Sequence, residues 1–338
     1  MADADHDPPR PAIVIHGGAG TLTRAMFTPE RARAYHEGLR AALHAGTRVL
    51  IDGGSALDAV TAAVVALEDD PLFNAGRGAV FTADGRHELD AAIMDGASGR
   101  AGAVAGVTRV RHPVLAARTV MTRTDHVMII GDAADRLAQA HGLECVDPSW
   151  FSTPARREQL EAARRAGGGA TLDHDGPAAG ENRRNHGGDS AGDNKFGTVG
   201  AVALDAAGHL AAATSTGGMT NKLPGRVGDS PLIGAGCYAD DATLAASATG
   251  HGERFIEAVA CHRAAAAIEF KGQSLAEATA EVIFRRLPLD RGRGGLIAID
   301  RAGHIAMPFN TEGMYRGWQR VDGTAWTAIF DDDLCGEL

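Results

Sequence analysis

The chain has 338 residues, of which 44% are hydrophobic and 5% aromatic, with 44 glycines and a formal net charge of -10 at pH 7. The length and hydrophobic content indicate a globular protein with a sizeable core. The acidic balance argues against nucleic acid or an anionic membrane as the main partner.

The first half of the chain reads as helices alternating with short strands. Residues 12–16, AIVIH, predict a buried strand that enters a tight loop at HGGAG. Helical periodicity covers 29–52, and a second helix at 55–69 opens with Ser55 three residues before Asp58, a capping-box pattern. Further on, 79–96 resembles a hairpin that turns at Asp84-Gly85. The last predicted elements before residue 167 are a strand at HVMIIG (126–131) and helices near 132–141 and 155–166.

The stretch 167–197 differs from the sequence on either side. It holds nine glycines and mixed charge with almost no large apolar residues, so it predicts a disordered linker. A flexible N-terminus is expected at 1–10. Long structureless loops inside a compact domain are uncommon and usually functional, so this linker calls for an explanation.

At residue 198 the pattern returns to strand. Residues 199–215 predict a hairpin turning at Ala207-Gly208, and 295–309 repeats that design around Ala302-Gly303. Between them lie an apolar-faced helix at about 252–270 and another from 274. The whole indicates an α+β fold in which helices cover antiparallel sheets.

Compartment and redox state follow from simple features. The N-terminal MADADHDPPRP lacks the basic and apolar regions of a signal peptide, and no apolar run reaches the roughly 18 residues of a membrane span. The cysteines are scattered, with no C-x-x-C pair and no histidine at zinc-ligand spacing: Cys145, Cys237, Cys261 and Cys335. We therefore expect a cytoplasmic protein with reduced thiols.

The Gly197-Thr198 junction has a chemical interpretation as well as a structural one. A threonine that begins a strand is ordinary. If the chain is cut ahead of Thr198, however, the new α-amine lies beside the threonine hydroxyl and acts as its base, because such an amine titrates near pH 7.7–8.0. The same hydroxyl could make the cut by attacking the Gly197 carbonyl.

Three stretches in the second half of the chain supply what such a nucleophile requires. Residues 212–221, AATSTGGMTN, end a strand in hydroxyls and glycines around Thr216. LPGRVGDS (223–230) offers Arg226 and Asp229, which suit the α-carboxylate and α-amine of an amino acid. SATGHGERF (247–255) places Thr249 and the Gly250 amide before a helix, where they could bind an oxyanion. Two of these stretches have a plainer alternative. Arg226 and Asp229 could form a loop salt bridge, and 247–255 could be a helix N-cap.

Seven stretches together resemble the plant-type (type 2) L-asparaginase and isoaspartyl-peptidase family of N-terminal-nucleophile hydrolases. The resemblance runs from about residue 11 to 318. The stretches are HGGAG (16–20), DPLFNAGRGAVF (70–81), HELDAAIMDG (87–96), GTVGAVALD (197–205), STGGMTNKLPGRVGDSPLIGAGCYAD (215–240), ATGHGERF (248–255) and FNTEGMYRGW (309–318).

The resemblance implies an architecture and an activity. The fold would be a four-layer αββα sandwich in which self-cleavage leaves an α subunit, 1–197, and a β subunit, 198–338. Two such heterodimers would pair. The activity would be hydrolysis of the β-amide of L-asparagine and β-aspartyl dipeptides to L-aspartate, without an organic cofactor.

The resemblance also assigns roles by position. Thr198 would be the nucleophile and Thr216 its hydrogen-bonding support, while Asn74 would brace the site from the other subunit. The implied substrate and oxyanion contacts are Arg226, Asp229, Thr249, Gly250 and Gly252. The family's structural sodium ion would be held by backbone carbonyls of Leu67, Glu68, Asp70, Phe73, Ala75 and Arg77.

Two residues depart from the family pattern. His251 stands where many relatives have a small or hydroxyl residue, and Arg77 replaces an often apolar one, so leaving-group preference and ion binding are both open.

Three alternative functions are less consistent with the sequence. A glycosylasparaginase usually has Asp before the nucleophile and a secretory signal, whereas this chain has Gly197. A nucleotide-binding protein using HGGAG or GAGCYAD as a phosphate loop lacks the P-loop lysine and the strand–loop–helix context. A non-catalytic relative would remain one uncut chain, which a denaturing gel would show.

Overall fold

The structure, a computed structural model, describes residues 10–20, 22–166, 197–287 and 292–331. The predictions made for residues 1–9, for the linker as far as residue 196 and for Cys335 lie outside the described residues.

The segment before Thr198 supplies one central strand, three further strands and the helices that cover them. Its elements are β1 Ala12–Gly20, α1 Pro29–Ile51, α2 Ala56–Asp69, β2 Leu89–Asp95, β3 Ala101–Val107, α3 Pro113–Arg123, β4 Met128–Ile130, α4 Gly131–Ala140 and α5 Pro154–Arg165. The predicted start of α2 is confirmed, since the Ser55 hydroxyl accepts a 3.1 Å hydrogen bond from the Asp58 backbone N–H. This cap satisfies one of the amide groups left unpaired in the first helical turn.

The segment from Thr198 onward supplies the remaining strands and a second helical layer. Its elements are β5 Val199–Leu204, β6 Leu210–Thr216, β7 Cys237–Ala239, β8 Ala245–Gly250, α6 Gly252–Ala258, α7 Ala260–Lys271, α8 Leu275–Glu281, β9 Gly294–Ile299, β10 Ile305–Ala306, β11 Gly313–Arg320 and β12 Ala325–Ala328. A π-helical turn, Val282–Arg286, follows α8. Both predicted hairpins form: β5 pairs with β6 and β9 with β10, each antiparallel.

Within the described residues the strands form two sheets, with orders β12-β11-β1-β5-β6-β2-β3-β4 and β10-β9-β8-β7. All neighbours are antiparallel except β3 and β4, which are parallel. Alternate residues of a strand point to opposite faces, so Ile13 and Ile15 pack with the helices α1 to α3 while Ala12 and Val14 pack between the sheets. Residues of β8 and β9 continue the pattern toward α6 to α8. The predicted four-layer αββα architecture is confirmed.

Two predicted boundaries in the first half are wrong. AIVIH does not end at a loop, because β1 continues to Gly20 through a bulge between His16 and Gly18 and keeps its pairing with β11. Residues 79–88 do not form a strand of a hairpin, although Gly85 makes the predicted turn. Tertiary contacts take this stretch instead: the Phe81 carbonyl accepts from the Asn221 N–H at 2.8 Å.

The single helix predicted at 252–270 is also wrong, since it is broken at Val259, which has a left-handed φ of 48°. The break lets α7 begin against a loop: the His262 N–H donates to the Gly234 carbonyl at 2.8 Å, and that of Cys261 to the Ala235 carbonyl at 3.3 Å. These bonds satisfy helix N-terminal amides in a way that local sequence does not reveal.

No helix in the described part of the chain is both long and apolar enough to cross a bilayer.

Candidate active site

Strand pairing places two threonine hydroxyls side by side. In the β5–β6 ladder Val199 lies opposite Ser215, so Thr198 at the mouth of β5 meets Thr216 at the end of β6. The Thr198 hydroxyl donates to the Thr216 Oγ1 at 3.0 Å, and the Gly218 N–H donates to the same oxygen at 2.9 Å. Thr198 is 9% exposed and lines a pocket together with Thr216.

Ser230 is a further hydroxyl in this pocket that the sequence analysis did not single out. Its Oγ lies 3.5 Å from that of Thr198. Ser230 directly follows Asp229, and this position in the sequence is the feature that could have identified it as a site residue.

His16 fixes the backbone of Thr198 from β1. Its Nδ1 lies 3.0 Å from the Thr198 carbonyl oxygen and its Nε2 lies 2.9 Å from the Ser247 hydroxyl. A carbonyl only accepts, so Nδ1 carries the proton and Nε2 accepts from Ser247. Complete burial lowers the pKa of His16 to about 3. The imidazole is therefore neutral and engaged at both nitrogens, an anchor for the strand end.

Arg226 is held in a narrow space beside the threonine pair. Its Nε and Nη2 donate to the Glu253 carboxylate at 2.9 Å each, and its side chain is 17% exposed. A Cβ on Gly228 would lie 2.8 Å from its Nη1, and one on Gly252 would lie 2.9 Å from its Nη2. Glu253, which was not predicted from the sequence, thus orients the Arg226 guanidinium. The Nη1 edge of this guanidinium points away from the Glu253 carboxylate.

Asp229 is buried and has an oxygen to spare. It is 3% exposed, and its Oδ2 has no hydrogen-bond partner among the residues that the structure describes. Desolvation raises the pKa of Asp229 to about 7, and the nearby Arg226 charge only partly opposes this. A buried carboxylate without a partner is costly, so the pocket is suited to a ligand that brings a cation to this oxygen.

Gly250 and Gly252 line the same pocket as Thr198, and Thr249 lies buried just behind them. Gly250 has φ of 144°, a backbone conformation that favours glycine. The Thr249 hydroxyl accepts from the Ala19 N–H at 3.3 Å. The predicted oxyanion residues therefore stand at the end of β8, next to the predicted nucleophile.

Asn74 lies behind the Thr216 turn and bonds to it twice. Its Nδ2 donates to the Gly218 carbonyl at 2.8 Å, and its own carbonyl accepts from the Gly217 N–H at 3.1 Å. Asn74 is completely buried and does not line the pocket. In this geometry it supports the turn that follows Thr216.

The loop after α2 brings backbone carbonyls together. A Cβ on Gly78 would lie 2.6 Å from the Pro71 carbonyl oxygen and 2.7 Å from that of Phe73. The Glu68 carbonyl accepts from the Arg77 N–H at 2.7 Å. Neutral carbonyl oxygens in a glycine-lined turn are the kind of donor that a hard cation prefers.

His251 and Arg77 are the two residues that depart from the family pattern. His251 immediately precedes α6 and donates its N–H to the Arg293 carbonyl at 2.9 Å. The Arg77 guanidinium lies 5.9 Å from the Trp150 ring centre.

Known proteins resemble this chain over nearly its full length. The sequence profile of one family, described as Asparaginase, matches residues 9–329. The isoaspartyl peptidase of Escherichia coli K12 is 55% identical over 318 residues, covering 94% of this chain and 95% of its own. The plant-type L-asparaginase of Pyrobaculum calidifontis is 42% identical, covering 90% and 96%. The human isoaspartyl peptidase/L-asparaginase is 39% identical, covering 96% and 97%.

Proposed function

This chain belongs to the asparaginase family, and on that premise we propose that it is a self-cleaving threonine amidohydrolase. It hydrolyses the β-amide of L-asparagine and of β-aspartyl dipeptides and releases L-aspartate. The observation that carries the proposal is one pocket that holds both the Thr198–Thr216 hydroxyl pair and the unpartnered Asp229 oxygen.

Self-cleavage creates the catalytic base. In the uncut chain the Thr198 nitrogen belongs to an amide and cannot accept a proton. The hydroxyl attacks the Gly197 carbonyl, and the C–N bond to Thr198 breaks, which frees the α-amine and leaves an ester. Water then hydrolyses this ester, which releases the Gly197 carboxylate and restores the Thr198 hydroxyl. This amine takes the hydroxyl proton in later turnovers. His16 is not the base, because its nitrogens are bonded to the Thr198 carbonyl and to Ser247.

The substrate head group is bound by opposite charges. Asp229 receives the α-ammonium at its unpartnered oxygen, and the outward edge of Arg226 receives the α-carboxylate. Both groups are partly desolvated, so the pair recognises a free amino-acid head and rejects a peptide-bonded one.

The reaction then proceeds through an ester. The Thr198 oxygen attacks the β-carbonyl, and the oxyanion is stabilised by Thr249 and the Gly250 amide. The C–N bond breaks, the amine or ammonia leaves with the proton from the Thr198 amine, and water hydrolyses the aspartyl ester.

We further propose that the loop after α2 holds a structural sodium ion. The ligands would be the carbonyls of Leu67, Glu68, Asp70, Phe73, Ala75 and Arg77. One of these carbonyls, that of Phe73, lies beside the Pro71 carbonyl near Gly78, which supports the proposal. When bound, it would stiffen the loop that carries Asn74.

Assembly as a dimer of αβ heterodimers in the cytoplasm completes the proposal. The three cysteines in the described ranges, Cys145, Cys237 and Cys261, are unpaired, which is typical of a reducing compartment. Light scattering of the native protein checks the assembly, because the dimer has twice the 34.9 kDa mass of one chain.

The decisive experiment replaces the proposed nucleophile. Wild type is expected to give two fragments on a denaturing gel, the smaller beginning Thr-Val-Gly-Ala-Val on N-terminal sequencing. Thr198→Ala should stay one chain and lack amidase activity, because the attacking oxygen is gone. Thr198→Ser is the control, since it keeps the hydroxyl and should retain partial cleavage. An uncut wild type, or an active Thr198→Ala variant, would refute the mechanism.

A further inference from the structure

His87 lies outside the pocket and has no part in the mechanism above, yet both ring nitrogens are hydrogen-bonded and two aromatic rings pack against it. It precedes β2 and is 3% exposed. Its ring lies 4.1 Å from that of Phe81 and 6.1 Å from that of Phe151, measured between ring centres. It is absent from the residues that line the Thr198 pocket in the described structure. A polar side chain buried among aromatic rings calls for an account of its hydrogen bonds.

Those bonds define the state of the imidazole. The Nδ1 atom lies 3.1 Å from the Val80 carbonyl oxygen, and Nε2 lies 2.9 Å from the Ser152 hydroxyl. Because the carbonyl only accepts, Nδ1 is the protonated nitrogen and Nε2 accepts from Ser152. Burial lowers the pKa of His87 to about 4, so the ring is neutral near pH 7. One nitrogen therefore faces Val80 and the other faces Ser152.

A continuous line of hydrogen bonds leads from Val80 to the nucleophile. The Val80 N–H donates to Asn74 Oδ1 at 3.0 Å, which orients the amide so that its Nδ2 donates to the Gly218 carbonyl at 2.8 Å. The Gly218 N–H donates to Thr216 Oγ1 at 2.9 Å, and the Thr198 hydroxyl donates to that same oxygen at 3.0 Å. Each member fixes the orientation of the next.

Packing around Gly217 makes this line sensitive to small displacements. A Cβ on Gly217 would lie 2.5 Å from Asn74 Oδ1, 2.8 Å from the Ala79 Cβ and 2.9 Å from the Val80 nitrogen. Residues 79–80 are thus packed tightly against the turn that follows Thr216. Close-packed interiors transmit such shifts instead of absorbing them.

We propose that His87 is a positioning residue for Thr198: it anchors the Val80 carbonyl, and through Val80 and Asn74 it sets the Gly218 amide that orients the Thr216–Thr198 hydroxyl pair. The inference rests on the proposed function, because its readout is turnover of the amide. It predicts an effect on kcat with little effect on KM, since the residues that bind the head group are not in this line.

The test uses variants that separate the two nitrogens. His87→Phe keeps the ring and loses both bonds. His87→Asn retains a donor near the position of Nδ1, and His87→Gln retains a polar group near that of Nε2. Ser152→Ala is the matched control, because it removes the partner of the outward nitrogen only. Steady-state constants for L-asparagine are normalised to the cleaved fraction on a denaturing gel, and Tm is measured for each variant.

The expected order is diagnostic. His87→Phe should lower kcat on the order of tenfold to a hundredfold with KM within about twofold, as a misplacement of about 1 Å does. His87→Asn should recover most of the loss and His87→Gln little of it, while Ser152→Ala keeps wild-type kcat. If kcat follows Tm across the series, or if Gln rescues as well as Asn, the positioning role is overturned. If wild type itself lacks amidase activity, the proposed function has failed instead.

Discussion

At the scale of single residues, the pocket is lined by two opposite charges, those of Arg226 and Asp229. Glu253 orients the Arg226 guanidinium, whereas the Asp229 Oδ2 has no hydrogen-bond partner in the described part of the chain. Gly252 allows the two side chains to approach, because a Cβ there would lie 2.9 Å from both Arg226 Nη2 and Asp229 Oδ1. The arrangement favours a ligand that carries a cation and an anion a few bonds apart, as an amino-acid head group does.

Asp229 should make substrate binding depend on pH. Burial raises the pKa of Asp229 to about 7 in the ligand-free site, and only the ionised form attracts an ammonium group. The KM for L-asparagine should therefore fall as pH rises from about 6 to about 8. Asp229→Asn should raise KM on the order of a hundredfold and make it nearly independent of pH in this range.

The measurement is a pair of pH profiles, one for kcat and one for KM. If the Thr198 amine is the base, as proposed, kcat should rise as pH climbs through the pKa of that amine, and this rise should remain in Asp229→Asn. A KM profile in the variant that still falls with pH would assign the titration to another group.

At the scale of elements, strand β1 contacts both residues of the proposed cleavage junction. It holds the Thr198 carbonyl through His16 and then bulges, so that Gly18 meets the Gly197 backbone. The backbone φ of Gly18 is 116°, and a Cβ there would lie 2.6 Å from the Gly197 Cα. A side chain at residue 18 would thus displace the bond that Thr198 is proposed to attack.

Gly18→Ala should slow self-cleavage by more than about tenfold, since the scissile carbonyl would shift relative to the hydroxyl. The measurement is the fraction of cut chain against time after purification of the precursor. Gly99→Ala is the control: Gly99 has φ of 68° and nothing within 4 Å of its Cβ position, so this variant carries the backbone strain without the contact. Equal cleavage rates for the two variants would show that strain alone, and not contact with Gly197, governs the effect.

At the scale of the whole molecule, the two proposed subunits share one sheet. Strand β1, from before the junction, pairs with β5 and β11 from after it, and β2 pairs with β6. Both cores that flank this sheet contain residues from each side of the junction. The proposed cleavage would therefore remove a covalent link without creating a separable domain.

The two fragments of the cleaved protein should remain together and unfold together. They are expected to elute as one species in native size-exclusion chromatography and to give one cooperative transition in urea, because neither fragment retains a complete sheet alone. Two transitions, or elution of a fragment on its own without denaturant, would contradict this view of the fold.

The sequence by itself determined those features that depend on a few neighbouring residues. The Ser55 cap, the paired strands around Gly208 and Gly303, and the polar stretches at 215–230 and 247–255 were all predictable, because capping, turn chemistry and apolar periodicity act over short distances. The resemblance to a known family added the four-layer arrangement and the assignment of roles by position.

Only the tertiary structure decided what long-range packing controls. Residues 79–83 look like a hairpin strand but bond instead to 221–222, and Val259 breaks a helix so that α7 can meet the loop at 234–235. The pairing of Arg226 with Glu253 and the line from His87 to Thr198 likewise join residues from separate elements. Local propensities of about 1 kcal/mol or less yield to such contacts, since a buried amide, carbonyl or charge left without a partner costs more than an unfavourable backbone conformation.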